Sequence, residues 1–237
     1  MKADFRGLSG LPESGGCMRA LVIGSSGGIG GAVCTALAAR GWAVTGLSRS
    51  GDGLDVTEEA SVARVLGGVA GDFDLILVAT GGLEIGGARP EKSVRALEGA
   101  AMAAQFALNA IGPALVIKHV WRLIPKDRAA KVAVLSARVG SIGDNRLGGW
   151  HGYRAAKAAL NQILRTCAVE LARTHPKAAL VALHPGTVAT PLTAAYAGGH
   201  PTVAPAVAAG HLLAVLDRIG PEETGSFFDW RGERVEW

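Results

Sequence analysis

Cysteine is scarce in this chain. Cys17, Cys34 and Cys167 are the only three in 237 residues. They show no C-x-x-C spacing and stand beside no histidine cluster, so the sequence offers no metal site. An odd number of scattered thiols suits a reducing compartment, and a cytoplasmic location is expected. Charge of one sign is scarce too. The formal net charge is +4, with no dense run of lysine or arginine. That argues against a nucleic-acid partner and is compatible with phosphorylated ligands. No unbroken apolar run approaches the ~18–20 residues that span a bilayer, so no membrane partner is expected. The amino end, residues 1–16, carries charges, Pro12 and several glycines but no continuous apolar stretch, unlike a secretory signal. Residues 1–17 read as a loose tail, with Met18 a candidate natural start.

What the chain has in abundance is glycine, 34 residues, and apolar side chains, 49% of the total. That suits a two-sided sheet with closely packed helices, and the length suits one large domain over residues 18–237. The organising stretch runs through residues 19–30. Leu21, Val22 and Ile23 form a strand buried on both faces. Gly24, Gly27, Gly28 and Gly30 break it, and Ala32, Val33, Ala36 and Leu37 then recur at helical spacing. A glycine turn between strand and helix lets the backbone approach a pyrophosphate, which the helix amino end attracts. The spacing is G-x-x-x-G-x-G rather than G-x-G-x-x-G, and Ser25, Ser26 and Ile29 share the turn.

Strands and helices alternate from there on. Residues 42–47 read as a second strand. Where such a sheet meets an adenosine ribose, this chain has the loop Ser48-Arg49-Ser50 instead of an acid. Arg49 is either the partner of a 2′-phosphate, its planar fork matching phosphate oxygens, or a solvated loop residue. Residues 53–56 read as a short third strand. Asp55 there contacts an adenine, caps a helix over 57–66, or does both; Val56 follows it. Residues 73–79 form a fourth strand, whose end, Ala79-Thr80-Gly81, lies on the ligand edge. A short helix is expected over 90–97. A long apolar one over 101–123 has Asn109 in its middle, as a packing residue or a site residue. Residues 131–136, 178–183 and 226–228 complete seven strands, with further helices over 153–174 and 204–216. The fold class is α/β: a single doubly wound domain with a mainly parallel sheet.

Tyr153 and Lys157 lie four apart at a helix start, on one face. This pair joins the turn Gly24-x-x-x-Gly28-x-Gly30, Asp55, Asn109, and Pro185-Gly186 with Thr190. In that order they resemble the short-chain dehydrogenase/reductase family, from residue 18 to the carboxyl end. The resemblance implies a Rossmann-type fold and hydride transfer between NADP(H), or NAD(H), and a carbonyl or alcohol. It implies that Tyr153 is the acid in reduction and the base in oxidation, and that Lys157 holds the nicotinamide ribose. Asn109 would carry a relay water, and Val188 and Thr190 would orient the carboxamide. It also implies a homodimer or homotetramer through the long helices. A phenol with a pKa near ~10 is a poor acid–base group at neutral pH, and an ammonium one turn away would lower it.

Two departures from the family pattern stand out. The serine pair at the end of the fifth strand reads Ser136-Ala137, with Ala137 where the substrate-steadying serine belongs. Ser136, Ser141 or no residue replaces it; loss of one such donor costs ~3 kcal/mol of transition-state stabilisation by analogy with oxyanion holes. The asparagine-rich turn after the fourth strand is Val78-Ala79-Thr80-Gly81. Two functions from different classes therefore stand. One is an NADP(H)-dependent carbonyl reductase or alcohol dehydrogenase. The other is a non-catalytic dinucleotide-binding sensor or scaffold. The substrate pocket is expected from residues 143–151, including Asn145, Arg146, Leu147 and Trp150, and from 192–201. His151 reads as pocket lining or as the partner of a loop bond.

Overall fold

The computed structural model describes residues 17–196 and 201–237. The tail expected over 1–16 lies outside these residues, as do 197–200 of the expected substrate stretch. Six strands form one parallel sheet: β1 (Arg19–Ile23), β2 (Ala43–Leu47), β3 (Leu75–Val78), β4 (Ala130–Leu135), β5 (Ala178–His184) and β6 (Phe227–Asp229). Their order is β2-β1-β3-β4-β5-β6. Val22 of β1 stands opposite Gly46 of β2 on one side and Leu77 of β3 on the other. The chain therefore reverses direction across the sheet between β1 and β3, where open sheets of this kind bind ligands beyond their strand ends.

The helices are α1 (Gly28–Ala39), α2 (Arg49–Asp52), α3 (Glu59–Gly67), α4 (Gly99–Phe106), α5 (Gly112–Val120), α6 (His151–Thr174) and α7 (Pro205–Arg218). Because side chains alternate along a strand, the core divides in two. Leu21, Ile23, Leu180 and Ala182 meet Val62, Val116 and Leu160 from α3, α5 and α6. Ala20, Val22, Val181 and Leu183 meet Val33, Leu37 and Leu212 from α1 and α7. This two-sided burial is why the strands are almost wholly apolar.

The sheet has six strands rather than seven, because residues 53–56 join no ladder. Arg49–Asp52 coils as α2, not the loop expected, with the Ser48 hydroxyl accepting the Gly51 N–H at 3.0 Å. Gly53 then takes a φ of +64°, Leu54 N–H returns to Ser48 O, and Asp55 N–H donates to Ser61 Oγ. The backbone donors are satisfied locally, which leaves none for a neighbouring strand. The helix expected over 90–97 shrinks to one 3₁₀ turn, Val94–Ala96.

The long helix spans Gly99–Leu123 but changes pitch. Ala107–Ile111 is π-helical, and the Gly112 N–H reaches back to Ala107 O. Pro113, four residues after Asn109, has no N–H to return to the Asn109 carbonyl, so an α-helical bond is impossible there. By length and composition this run meets the requirement for a membrane span. Here it lies on the sheet, with Ala110, Val116, Ile117 and Val120 in the core.

Candidate active site

The turn after β1 is shaped by close backbone approach. Gly24 has φ +91°, and a methyl group there would lie 2.7 Å from Ala79 O. The N–H groups of Gly24 and Ser25 both donate to Leu47 O, at 2.8 and 3.1 Å. A side chain on Gly30 would overlap Gly24 O, and one on Gly28 would meet Thr190 Cγ2 at 2.8 Å. The turn is thus pressed against the ends of β2 and β3 and against residue 190. Gly28, Ile29 and Gly30 open α1, so their N–H groups have no intrahelical acceptor, and no side chain caps them. Nearby, at the end of β3, Thr80 Oγ1 is buried without a partner. Free amides at a helix start and an orphaned hydroxyl fit a pyrophosphate-bearing dinucleotide.

At the ends of β3 and β4 a second set converges. Lys157 is 3% exposed and donates to Leu135 O at 3.0 Å. Asn109, fully buried in the π-helical turn, accepts from Gly82 N–H at 3.1 Å and donates to Gly82 O at 2.9 Å. A methyl group built on Gly81 would lie 2.9 Å from Asn109 Oδ1 and 3.5 Å from Lys157 Nζ. Lys157 and Asn109 therefore face one point beside Gly81, one helical turn from Tyr153. π-Helical insertions are frequent at functional sites.

A family model described as short chain dehydrogenase matches residues 18–199. The chain belongs to the short-chain dehydrogenase/reductase family. Among relatives, 1-hydroxy-2-glutathionyl-2-methyl-3-butene dehydrogenase of Rhodococcus sp. (strain AD45) is 37% identical over 133 residues, covering 56% of this chain and 57% of that protein. The chain thus spans little more than half the length of that relative. Cis-4-hydroxycyclohexanecarboxylate dehydrogenase of Sinomonas cyclohexanicum is 30% identical over 195 residues, 74% of this chain and 75% of that protein. A Burkholderia multivorans protein assigned to the short-chain dehydrogenases/reductases and solved with bound NADP superposes with a TM-score of 0.77 at 26% identity. It covers 94% of this chain and 100% of that one.

The other expected site residues fall as follows. Arg49 is exposed at the start of α2 and makes no ion pair among the described residues. Asp55 does not cap α3, whose first cap is Glu58. One oxygen of Asp55 accepts from Thr57 N–H and Oγ1, which, with Arg49 nearby, holds its carboxyl below the usual range. Val56 is buried against Gly112, where a methyl would lie 2.9 Å from its Cγ2. Pro185 precedes Gly186, whose φ of +77° brings the chain against Trp230. Val188 is buried and its carbonyl accepts from Thr193 Oγ1; Thr190 N–H donates to the same hydroxyl at 3.2 Å. Ser26 is exposed in the turn, and Ile29, the second residue of α1, is half-buried against the core that holds Val33 and Leu37.

Two expectations about the chemistry change. Ser136 points toward α6, as strand alternation requires, and its hydroxyl donates to Asn161 Oδ1 at 2.6 Å. Its proton is spent there rather than offered to a substrate carbonyl. Ser141 Oγ accepts the Asp144 N–H in a turn. Nor does Lys157 bring the phenol's pKa below its ordinary value in this arrangement. The Lys157 ammonium is 5.9 Å from the Tyr153 ring centroid, and burial dominates, pushing Tyr153 above its ordinary value and Lys157 down to about 8.

Sequence reasoning missed two supporting residues. Gln105 donates to Leu83 O at 2.7 Å and accepts from Asn109 Nδ2 at 2.7 Å. Its place one turn before Asn109 was readable as a helical neighbour. Glu91, 9% exposed, accepts the Gly152 N–H at the start of α6, a pairing with no local signal. A separate cavity of about 550 Å³, lined by Lys118, His119, Trp121, Arg122 and His175 among others, lies at the far end of α5. Lys118 there is bound to Glu59 and Arg122 to backbone carbonyls, and no part of the set above reaches it.

The buried lysine gives a signed pH effect. Its folded pKa, about 8, lies below the ordinary lysine value of 10.5, so the unfolded chain holds the proton more tightly. Burying the charge destabilises the fold fully below pH 8, and that penalty fades as pH rises from 8 to 10.5. Lys157→Met should therefore stabilise the protein relative to wild type at pH 7. The pH-dependent part, on the order of 3 kcal/mol, should vanish by about pH 10.5. Denaturant melts across this range check it; a difference that stays constant with pH would contradict it.

Proposed function

We propose that this chain transfers hydride between NADP(H) and a carbonyl or alcohol, and that its residues are disposed for carbonyl reduction. The observation that carries this reading is the convergence of Lys157 Nζ and Asn109 Oδ1 beside Gly81, next to Tyr153 and at the ligand edge of the sheet. NADP in the Burkholderia multivorans structure and the dehydrogenase names of two relatives support it.

Bound NADPH would supply the hydride. The N–H groups of Gly28, Ile29 and Gly30 hold its pyrophosphate, with Gly24, Ser25 and Ser26 shaping the approach. Arg49 forks onto the 2′-phosphate, and Asp55 and Val56 border the adenine. Ala79, Thr80 and Gly81 line the path along β3, the Thr80 hydroxyl gaining the partner it lacks. Pro185, Gly186, Val188 and Thr190 form the wall on the nicotinamide side, and Lys157 donates to the ribose. Tyr153 then gives its proton to the carbonyl oxygen as charge develops there. Burial keeps the phenol protonated through the physiological range, which is the form that donates. The phenolate left behind lies one turn from the Lys157 ammonium, which favours it.

A second reading, binding without turnover, is favoured by Ala137 and by the Ser136 hydroxyl being held by Asn161. Consumption of NADPH with a panel of ketones and aldehydes separates the two: tight NADPH binding with no consumption selects the second. If the enzyme reading holds, Tyr153→Phe should lower kcat by about 100-fold or more while NADPH affinity, from fluorescence titration, changes less than about twofold. Arg49→Ala should weaken NADPH by about tenfold through loss of a charge-assisted contact and leave NADH nearly unchanged. Equal losses for both coenzymes would contradict the 2′-phosphate role.

A further inference from the structure

One side of the Tyr153 cleft is an aromatic wall with no part in the steps above. The Trp150 ring lies 6.2 Å from the Tyr153 ring at 68° and 5.5 Å from the Tyr196 ring at 81°. Its backbone is left-handed, φ 52° and ψ 41°, and it is the one non-glycine residue with positive φ among those described. A residue with a Cβ disfavours that conformation, so neighbours must impose it. Gly148 and Gly149, at φ +62° and +67°, lead the chain in. The Trp150 N–H donates to Glu91 O at 2.5 Å, and the Glu91 carboxylate takes the Gly152 N–H at 3.2 Å.

Across the cleft the Tyr196 hydroxyl donates to Glu84. The turn that carries Glu84 is itself fastened, by Asn109 to Gly82 and by Gln105 to Leu83 O. A path of contacts thus runs from Asn109 through the turn at Glu84, Tyr196 and Trp150 to Tyr153. Trp150 remains partly exposed within it and presents a flat apolar surface beside the phenol.

We propose that Trp150 is a specificity-determining residue: together with Tyr196 it packs against a flat, apolar substituent on the carbonyl carbon. Aryl ketones and aryl aldehydes are then preferred to small aliphatic carbonyls. This rests on the carbonyl-reduction reading above. Aromatic groups favour offset or edge-on contact with such rings, and the strained backbone holds the wall in place before substrate arrives.

The test compares kcat/KM for acetophenone and acetone with NADPH in wild type, Trp150→Phe, Trp150→Asn and Tyr196→Leu. Asparagine tolerates the left-handed backbone and removes the ring; phenylalanine keeps a ring. The acetophenone-to-acetone ratio should fall about tenfold in Trp150→Asn and about threefold in Tyr196→Leu, and stay within about threefold in Trp150→Phe. Binding of 1-phenylethanol to the NADPH-loaded protein, a complex with no hydride acceptor, should weaken about tenfold in Trp150→Asn. An unchanged ratio in both ring-removing variants, or a wild-type preference for acetone, would overturn the proposal. Should Trp150→Asn fail to fold, Tyr196→Leu decides alone. Should wild type reduce neither carbonyl, the panel of ketones and aldehydes decides the reduction reading, and unchanged 1-phenylethanol affinity in Tyr196→Leu would overturn the wall.

Discussion

A lysine ammonium held out of water between β4 and α6 is the constraint around which the rest of the site is built. Among the described residues Lys157 Nζ has one acceptor, Leu135 O, for three donors. To bring it there, the loop after β4 must lie against α6 without side-chain bulk. Gly140 meets that need: a methyl at this position would lie 2.8 Å from Lys157 Cβ. One turn further along α6, Asn161 closes the seam by accepting from Ser136 and donating to Gly140 O. A half-satisfied buried charge is expensive as a purely structural feature. Its remaining donors face the same point as Asn109, which is where hydroxyl groups of a ligand would complete the set.

The fold serves this arrangement by rigidity. Two separate cores, one on each face of the sheet, lock the strands, while the site residues sit at strand ends, in the first turns of helices, in loops and, for Asn109, in the π-helical turn. The ends of β1, β3, β4 and β5 deliver the glycine turn, Gly81, the Leu135 carbonyl and Gly186 to one edge. Glu91 fixes the start of α6 and hence the height of Tyr153 above that edge. The replacement of a serine by Ala137, with Ser136 turned inward, removes one donor from the carbonyl side. In the proposed reaction, Tyr153 steadies the oxygen as well as protonating it.

Much of this was legible in the sequence, for physical reasons. The glycine turn could be read because Gly24 and Gly30 are positions where backbone meets backbone and no other residue fits. The Tyr153–Lys157 pair could be read because helical spacing dictates a shared face. The strand expected over 53–56 failed because Leu54 and Val56 alternate like a strand while Ser48, Ser61 and Gly53 satisfy the backbone locally. The π-helical turn at Asn109 leaves no trace in the apolar pattern, although Pro113 signals it through its missing N–H. Glu91 on Gly152 joins residues 61 apart, and Ser136 on Asn161 joins two elements; neither has a local signature. The raised pKa of Tyr153 follows from burial, which spacing does not report.

The central claim is that the phenol of Tyr153 and the ammonium of Lys157 meet a dinucleotide seated over the first crossover. A crystal structure of the protein soaked with NADPH tests it most directly. The account predicts the pyrophosphate on the amides of Gly28 to Gly30, the ribose on Lys157, and the reactive carbon of the nicotinamide within about 4–5 Å of the Tyr153 hydroxyl, close enough for one carbonyl group between them. An empty crevice, or a nicotinamide ring far from that hydroxyl, would contradict it.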